Sequence, residues 1–502
     1  MQNGSYDILA LRTLGIDLPT TWFDTMGAQY LLDVEAPKGL ESLAQRWLHL
    51  PPWKEINYKD PEAESLLDLV DLCERDAEIT HDLYAPMQAA LAAEPDLNNL
   101  FDVLLMPAMV ALMEMEYEGV PVDLDRLADL TYDTEDELNI LLEDIRDVAG
   151  NPSLNPNSVQ QLRKLLFGKL GLPVVEFTPK GAPSTAAASL QKLSHLHGII
   201  PMLQKYRELR KLLTASLKPW LEHASHDGKL HPRYKPAHVK TGRLSSEMPN
   251  IQQVPRDPRV RSIFGGVPGH QVVEFDYSQL ELRIVAWLSG EPTMVAAYNA
   301  GEDLHQTTAD ALGVERQTGK VANFGLLYGA GYRKLRQIAE SDYGVEMSEM
   351  QAQAIHTQWF DTYSDVAAFH DSAIAEARRD GGVTTVLGRW RPLPDIHSPE
   401  WGPKGGAERQ AVNTPIQSVA SDLTLSVLTD LMNADWLAKR GIKPIITVHD
   451  SILFLVPDHQ MCMVPTIKSF MENPQWKEKF GIEVGVPLLV DTKAGPYWGE
   501  AK

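Results

Sequence analysis

Two aspartates stand where a carboxylate could project from the end of an apolar segment. Asp276 ends the run VVEFD, and Asp450 stands at the polar tip between IITV and ILFLV. Mg²⁺ prefers hard oxygen ligands such as carboxylates, and two such ions about 3.5–4 Å apart can stabilise the attacking and leaving oxygens of a phosphoryl displacement. Taken singly, Asp276 also fits a helix cap and Asp450 a turn residue. Together they predict a metal-dependent phosphoryl-transfer site, with the cap-and-turn interpretation left open.

Four residues recur at every fourth position between 316 and 328. Arg316, Lys320, Phe324 and Tyr328 would advance by about 40° per step and form one helical stripe about 18 Å long. Cations neutralise phosphate charge and aromatic rings offer a stacking plane for a base. The stripe therefore predicts a surface for a nucleoside triphosphate. The alternative is a core-facing aromatic pair with basic neighbours lying along it.

Two further segments are rich in hydrogen-bond donors. Arg409, Asn413 and Gln417 recur at every fourth position, and the loop 241–256 (TGRLSSEMPNIQQVPR) contains Arg243 and Arg256 among polar residues. Such groups could contact phosphates, sugars or the minor groove of a duplex. Each segment could equally be a solvated surface.

Two other clusters resemble sites but lack the right surroundings. Asp33 and Glu35 have an Asp-x-Glu spacing, but no apolar strand precedes them, so a loop is predicted. His195 and His197 have no carboxylate or cysteine at ligand spacing, so a zinc site is not predicted there.

The composition indicates a multi-domain globular protein. The chain has 502 residues, of which 44% are hydrophobic and 23% charged, and a length of this order predicts roughly three domains. Cys73 and Cys462 are too few for a disulfide framework. No run approaches the length of a membrane span, and Met1 is followed by polar residues. A cytoplasmic protein with no membrane association is expected.

The charge is unevenly distributed along the chain. The net charge is −22, but residues 1–150 alone carry 8 Lys and Arg against 32 Asp and Glu. Residues 203–261 carry 13 Lys and Arg against 5 Asp and Glu. A basic stretch within an acidic chain is compatible with phosphate binding, although a solvated helix face has the same composition.

The pattern of apolar residues predicts an α+β protein. We expect a helix ending at Gly119, a capping box from Ser158 to Gln161, a turn-rich loop at 178–183 and a long helix over about 201–220. A strand over 272–276 followed by a helix, a hairpin over 445–456 and a mostly helical stretch over about 305–440 complete the prediction. Helical insertions between strands of one sheet place the helices in a separate lobe.

Five motifs, in this order, resemble those of family A DNA polymerases, the DNA polymerase I type. They are TGRLSS (241–246), DYSQLELR (276–283), the Arg316/Lys320/Phe324/Tyr328 stripe, the Arg409/Asn413/Gln417 helix and VHDS (448–451). GAPST (181–185) resembles a thumb segment and VPLLV (486–490) the last palm strand, so the resemblance covers nearly the whole chain.

The resemblance implies a right-hand polymerase fold of palm, fingers and thumb, preceded by a partial RNase H-like exonuclease domain. The implied segments are 1–95 for the partial 3′→5′ exonuclease-like domain, 96–153 for the start of the polymerase domain, 154–230 for the thumb, 231–300 for the palm with the first aspartate, 301–440 for the fingers with adjoining helices, and 441–502 for the palm with the second aspartate.

The resemblance also implies roles for individual residues. Asp276 and Asp450 would hold two Mg²⁺ ions, for which Mn²⁺ could substitute, together with the main-chain carbonyl of Tyr277. Lys320 would also protonate the leaving pyrophosphate, and Glu281 would exclude a 2′-hydroxyl. The residues implied to contact the nucleotide are Arg256, Gln279, Glu281, His305, Arg316, Lys320, Phe324 and Tyr328. Those implied to contact primer–template DNA are Thr241, Arg243, Asn250, Gln253, Arg283, Arg409, Asn413, Gln417 and His449.

The implied function is template-directed addition of deoxynucleotides to a primer 3′-hydroxyl by a monomeric enzyme. A non-catalytic DNA-binding accessory subunit with the same fold is the alternative, and a protein that is mainly a 3′→5′ exonuclease is a second one. Retention of the carboxylates and the cationic stripe favours the polymerase.

The sequence departs from the family pattern at two places. Ser451 stands where the family commonly has glutamate. Asn3, Asp7 and Asp76 match the second and third exonuclease motifs, but the first, an Asp-x-Glu, would precede Met1, and Leu72 replaces the usual tyrosine. We therefore expect this chain alone not to proofread. Three explanations are open: the chain is a fragment, its exonuclease domain has decayed to a scaffold, or a second polypeptide supplies the missing strands. With no 5′-nuclease domain in front, it is expected to be phage-like or N-terminally truncated. No thioredoxin-binding insertion is indicated between Asn155 and Trp220.

Overall fold

The computed structural model describes residues 1–16, 22–53 and 65–502. None of the helices in these ranges combines the length and apolar character that a bilayer crossing needs. The described residues before Val120 form helices and turns but no strand. The helices of this part are α1 (Gly4–Thr13), α2 (Thr25–Leu32), α3 (Leu40–Leu43), α4 (Leu66–Ala92), α5 (Pro95–Asn99) and α6 (Met106–Glu118), with π-helical turns at Ala44–Leu48 and Leu100–Leu105.

The middle of the chain alternates short strands with helices. In order, these are β1 (Val120–Pro121), α7 (Leu124–Ala149), α8 (Val159–Arg163), α9 (Ala187–Leu193), α10 (Ile199–Leu212), α11 (Lys218–Ala224), β2 (Lys229–Leu230), β3 (Arg233–Lys235), β4 (Ser245–Glu247), α12 (Pro258–Arg261), β5 (His270–Tyr277), α13 (Leu280–Ser289) and α14 (Pro292–Ala300).

The C-terminal part contains the longest helix and the remaining strands. In order, these are α15 (Leu304–Leu312), α16 (Arg316–Leu326), α17 (Tyr332–Tyr343), α18 (Glu349–Thr362), α19 (Ser364–Asp380), β6 (Gly382–Thr384), β7 (Trp390–Pro392), α20 (Trp401–Met432), α21 (Asp435–Ala438), β8 (Lys443–Val448), β9 (Ser451–Pro457), α22 (Val464–Glu472), α23 (Trp476–Phe480) and β10 (Val490–Gly495).

A four-stranded antiparallel sheet forms the centre of the molecule, in the order β10-β5-β9-β8. Its core includes Phe275 and Phe454, whose rings meet edge to face with centroids 5.4 Å apart. The predicted strand over 272–276 and the predicted hairpin are confirmed. The prediction of a strand over 486–490 is wrong, because pairing begins only at Val490. Pro487 has no N–H to donate to a ladder, and the carbonyl of Leu489 accepts the N–H of Ser278, just after β5, at 2.8 Å.

An arm, residues 138–212, has an apolar core of its own. Ile145 and Ala149 of α7 lie in this core with Leu190 of α9 and Leu203 of α10, so it draws on residues before the predicted boundary at 153/154. The predicted loop over 178–183 and the long helix that follows are confirmed.

The capping box predicted in this arm is only half formed. Ser158 Oγ accepts the N–H of Gln161, but Gln161 Oε1 accepts the N–H of Asn155 at 2.8 Å. The reason is that the N–H of Ser158 already donates to the carbonyl of Asn155 at 2.9 Å.

A helical lobe, α15–α19, lies in the chain between β5 and the other three strands of the central sheet. The prediction that Tyr328 belongs to the same helix as Arg316 is wrong, since α16 ends at Leu326 and Tyr328 lies in the turn that follows. The N–H of Gly329 bonds back to Leu326, and Gly329 adopts φ +70°, a left-handed conformation that commonly ends a helix.

Candidate active site

The two aspartates predicted to act together lie side by side at one end of the central sheet. Asp276 on β5 pairs in register with Ser451 on β9, the residue after Asp450. The N–H of Tyr277 donates to the carbonyl of Asp450 at 3.2 Å, which joins the two strand ends directly. On the other side of β5, Asp276 faces Asp491 of β10 in register. The strand pairing therefore concentrates carboxylates at one point.

These carboxylates hold protons more tightly than free ones. Displacement of water by the cleft walls, followed by the charges of Asp450, Glu274 and Asp491, raises the pKa of Asp276 to about 7 although its side chain is exposed. Burial and then the charge of Glu281 raise the pKa of Asp450 to about 6. A divalent cation between Asp276 and Asp450 would relieve this repulsion, and its preferred ligands are the oxygens that are present. The donor set therefore fits Mg²⁺ or Mn²⁺.

The hairpin tip fixes the position of Asp450. His449 adopts a left-handed conformation, φ +56°, and is exposed. The hydroxyl of Ser451 donates to the carbonyl of Val448 at 3.0 Å, and the Ser451 residue is only 5% exposed. Ser451 is therefore a turn-closing residue.

Arg243 contacts the carboxylate end of the cleft. Its guanidinium forms an ion pair with Glu281 of α13, and both line a cavity of about 220 Å³ with His449 and Asp450. Burial raises the pKa of Glu281, and Arg243 opposes that shift. Four of the predicted site residues are thus brought together. Gln252, which sequence reasoning missed, lines the same cavity and donates to the carbonyl of Thr447 at 3.0 Å.

A buried ion pair holds the segment that carries Arg243. Arg389 forms two 2.9 Å hydrogen bonds with Asp422, and the guanidinium lies against Gly242, where a Cβ would approach Arg389 Nη1 to 2.8 Å. Gly242 also adopts φ +81°, which disfavours any side chain. The hydroxyls of Ser418 and Ser421 donate to the carbonyls of residues 241 and 242 at 2.7 and 2.8 Å.

The cationic and aromatic stripe lies on the accessible face of α16. Arg316 is exposed, and Lys320, Phe324 and Tyr328 are half-buried. Arg316 Nε donates to Asp303 at 2.6 Å.

The carboxylate pair and Tyr343, a neighbour of the stripe, have Arg256 as a common charged neighbour. The Nζ of Lys320 lies 5.8 Å from the ring centroid of Tyr343. The charge of Arg256 acts on Tyr343 and on both aspartates. This shared neighbour connects the predicted triphosphate surface to the predicted metal site.

His305 lies beside this stripe and is almost fully buried. Its ring is 5.4 Å from that of Phe324, and its Nδ1 lies 3.1 Å from Nδ2 of Asn323. Burial lowers the pKa of His305 to about 4. Gln279, also predicted to contact nucleotide, accepts a hydrogen bond from the Tyr298 hydroxyl at 3.1 Å and adopts φ +53° before α13.

The predicted DNA-contact residues divide into accessible and buried ones. Arg409 is exposed, and Asn413 and Gln417 are half-buried on the same face of α20, as the four-residue spacing predicts. Asn413 Oδ1 is a buried acceptor that no other described residue satisfies. Asn250 and Gln253 are exposed, although the Asn250 carboxamide also caps the turn by accepting the N–H of Gln252.

The structure differs from the DNA-contact prediction at Arg283 and Thr241. Arg283 is 5% exposed and donates to the carbonyls of Ser278 and Pro487 at 2.8 and 2.6 Å, so its hydrogen-bonding groups hold the chain rather than face the cleft. Thr241 is 7% exposed, with its carbonyl held by Ser418.

The N-terminal residues predicted as a residual exonuclease site are divided between the start of α1 and α4. Asn3 precedes α1 with φ +54°, and Asp7 lies on α1, where burial raises its pKa. Asp76 lies on α4 and accepts a hydrogen bond from the Trp53 indole at 3.2 Å. Over the residues that the structure describes, no three His, Cys, Asp or Glu side chains form a metal-binding group. Asp33 and Glu35 lie in a loop, as predicted, and form ion pairs with Arg46 and Lys240.

The fold has a close counterpart among solved structures. The POL domain of Pol1 from M. smegmatis, in complex with DNA primer-template and dNTP, is 28% identical, has a TM-score of 0.87, and is matched over 100% of this chain and 86% of that one. The chain therefore has the architecture of a DNA polymerase POL domain.

The family follows from the sequence relatives. The family model for DNA polymerase family A matches residues 124–500. DNA polymerase I of Bacillus subtilis is 31% identical over 524 residues, 99% of this chain and 57% of that protein. The thermostable DNA polymerase I of Thermus aquaticus is 33% identical over 443 residues, 85% of this chain and 51% of that protein. The chain belongs to DNA polymerase family A, and it spans about half the length of these curated relatives.

Proposed function

We propose that this chain is a template-directed DNA polymerase that adds deoxynucleotides to a primer 3′-hydroxyl. The observation that carries the proposal is the pairing of β5 with β9, which sets Asp276 beside Asp450 at the sheet end. The Pol1 domain that the fold matches was solved with primer-template and dNTP, which supports the same substrates here.

The sheet segments 231–300 and 441–502 would form the palm, the segment 154–230 the thumb, and 301–440 the fingers with adjoining helices. Residues 96–153 would begin the polymerase domain. Their α7 also contributes to the core of the arm, which supports a thumb that is anchored to the palm through one continuous helix.

The chemistry requires positioning and charge stabilisation more than covalent catalysis. Mg²⁺ held by Asp276 and Asp450, with the carbonyl of Tyr277, would supply positive charge for activating the 3′-hydroxyl. Arg316 and Lys320 would bind the triphosphate from α16, and the Lys320 ammonium would donate a proton to the departing pyrophosphate.

Several neighbouring side chains would shape the pocket. Phe324 and Tyr328 would pack on the nucleotide, and Arg256 and His305 would contact its phosphates. Glu281 would exclude a 2′-hydroxyl. Because Glu281 pairs with Arg243 in the free protein, DNA that recruits Arg243 would have to compete with this ion pair.

Primer–template DNA would lie against the arm and α20. Arg409, Asn413 and Gln417 supply an accessible polar face, and His449 and Arg243 lie beside the metal carboxylates. These positions suit contacts near the primer end, where phosphate and minor-groove contacts set the register.

The N-terminal residues 1–95 would be the remnant of a proofreading domain that does not act alone. The placement of Asp7 on α1 and of Asp76 on α4 supports a scaffold. A second polypeptide that completes the site would restore 3′→5′ cleavage.

Substitution of one aspartate tests the proposal. We expect Asp450→Asn to abolish nucleotide addition and to leave duplex binding within about twofold, because the amide keeps the shape but loses the charge that a metal needs. The matched control is Asp458→Asn at the other end of β9, where the exposed carboxylate accepts a hydrogen bond from Gln271. Undiminished synthesis by Asp450→Asn would refute the metal assignment. A protein that binds primer–template but yields no Mg²⁺-dependent product even as wild type would be an accessory subunit.

A further inference from the structure

A buried polar network joins the helices α15, α16 and α18 with Tyr363, the residue between α18 and α19. At its centre is Asn323 of α16, which is 0% exposed. Its Oδ1 lies 2.8 Å from the indole nitrogen of Trp359 and 3.0 Å from the hydroxyl of Thr308. Its Nδ2 lies 3.1 Å from Nδ1 of His305. The Thr308 hydroxyl is also 2.7 Å from the hydroxyl of Tyr363.

The tryptophan fixes which way the Asn323 amide faces. An indole N–H can only donate a hydrogen bond, so the atom of Asn323 that faces Trp359 must be the oxygen. The amide nitrogen must then face His305. This assignment follows from the chemistry of the partners, which is the basis on which amide orientations are settled.

The amide in turn fixes the protonation of the imidazole. The Asn323 NH₂ group can only donate, so Nδ1 of His305 must accept and therefore carries no proton. A neutral imidazole with a bare Nδ1 has its proton on Nε2. No hydrogen bond to Nε2 is formed by any residue in the ranges 1–16, 22–53 and 65–502, so this N–H remains free for a ligand.

We propose that Asn323 is a positioning residue that holds His305 in the neutral Nε2–H tautomer, so that His305 donates a hydrogen bond to the triphosphate of the incoming nucleotide. The inference rests on the proposed function for the identity of the ligand. The tautomer itself rests on the network alone.

The charges around His305 agree with a neutral ring. Burial lowers its pKa, the carboxylate of Asp303 opposes that shift, and the cations Arg316 and Lys320 reinforce it. The network also contains Trp359 of α18 and Tyr363, which follows α18, and neither side chain carries a charge near neutral pH. Arg316 and Lys320 would already supply positive charge to the triphosphate, so the neutral His305 would contribute a directional hydrogen bond rather than a charge.

The tautomer can be measured without nucleotide or activity. In the intact protein labelled with ¹⁵N-histidine, long-range ¹H–¹⁵N spectra distinguish Nε2–H from Nδ1–H rings, and the His305 signal is identified by its loss in His305→Gln. We expect an Nε2–H ring that stays neutral from pH 8 to pH 5. An Nδ1–H ring, or a ring that protonates above pH 6, would overturn the inference.

Substitution of the amide tests the consequence for the nucleotide. Asn323→Asp replaces the donor by a carboxylate that can only accept, so the neutral ring should carry its single proton on Nδ1 and leave Nε2 without a proton to donate. We expect the KM for nucleotide to rise about tenfold while kcat falls less than threefold, because Lys320 is unchanged. The matched control is Thr308→Val, which removes a donor to the same Asn323 oxygen but leaves Trp359 to hold the amide. It should keep both the tautomer and KM.

A second background separates positioning from folding. Gln at position 305 carries an amide that can donate without a tautomeric choice, so Asn323→Asp should raise KM less than threefold in His305→Gln. An equal rise in both backgrounds, or an unchanged KM despite a changed tautomer, would overturn the proposed role.

If Asn323→Asp does not fold, the wild-type spectrum alone decides the tautomer. Absence of synthesis by the wild-type protein would refute the polymerase proposal, whereas nucleotide binding measured by fluorescence would still report on His305.

Discussion

Replacing Asp422 by asparagine removes one charge from a buried ion pair and changes almost nothing in shape. Arg389 and Asp422 are 3% and 1% exposed, and both guanidinium–carboxylate hydrogen bonds are 2.9 Å long. Breaking a buried pair by removing one partner leaves an uncompensated charge and typically costs about 3–5 kcal/mol. Since the new amide oxygen can still accept one hydrogen bond, we expect the lower end, about 3 kcal/mol.

The assay is equilibrium unfolding in urea, with the free energy of unfolding compared between variants. The matched control is Asp435→Asn, which makes the same change in the exposed pair Lys439–Asp435, whose side chains are 71% and 86% exposed. That change should cost less than about 0.5 kcal/mol. The double variant Arg389→Met with Asp422→Leu should recover most of the loss, because an apolar pair needs no charge compensation. Equal losses in Asp422→Asn and Asp435→Asn would refute the reasoning.

Three further predictions concern the cleft. Glu281→Ala should increase ribonucleotide incorporation at least tenfold in a competition assay, and unchanged discrimination would place the sugar gate elsewhere. Phe324→Tyr adds a hydroxyl beside the proposed sugar position and should raise dideoxynucleotide acceptance in chain-termination assays; an unaltered ratio would contradict the placement of α16. Metal-dependent turnover should fall as the pH drops from about 7 to 5, because the pKa values of Asp276 (about 7) and Asp450 (about 6) lie above the usual range and protons then compete with the metal. Asp491→Asn should move this acid limb to lower pH, since the Asp491 charge raises the pKa of Asp276; a limb that does not move would exclude Asp276 as its origin.

The residues that the sequence could identify are those whose environment is local. Asp276 ends one apolar run and Asp450 lies between two others, so their positions at strand ends follow from their neighbours in the chain. The spacing of Arg316, Lys320 and Phe324 similarly gives one helix face without knowledge of the fold. The prediction placed the end of that helix too late, at Tyr328. The turn at Gly329 ends the helix, and this turn is not part of the four-residue pattern.

The residues that the sequence could not identify depend on distant partners. Arg283 is the last residue of the motif DYSQLELR and looks available, yet its guanidinium donates to the carbonyl of Pro487, 204 positions later. Asp422 and Arg389 carry no local sign of their pairing. Asn323 directly precedes Phe324, so the sequence predicts that it lies on the same helix. Its partners Trp359 and His305 lie on two other helices, which the sequence does not bring together.

The central claim, that this chain polymerises DNA but does not proofread alone, is tested most directly by primer extension. A recessed primer–template with a 3′ mismatch, Mg²⁺ and all four deoxynucleotides reports extension and shortening in one gel. We expect Mg²⁺-dependent extension without shortening. Shortening would mean that the exonuclease carboxylates are supplied by other residues, and the absence of any product from matched and mismatched primers alike would contradict the polymerase assignment.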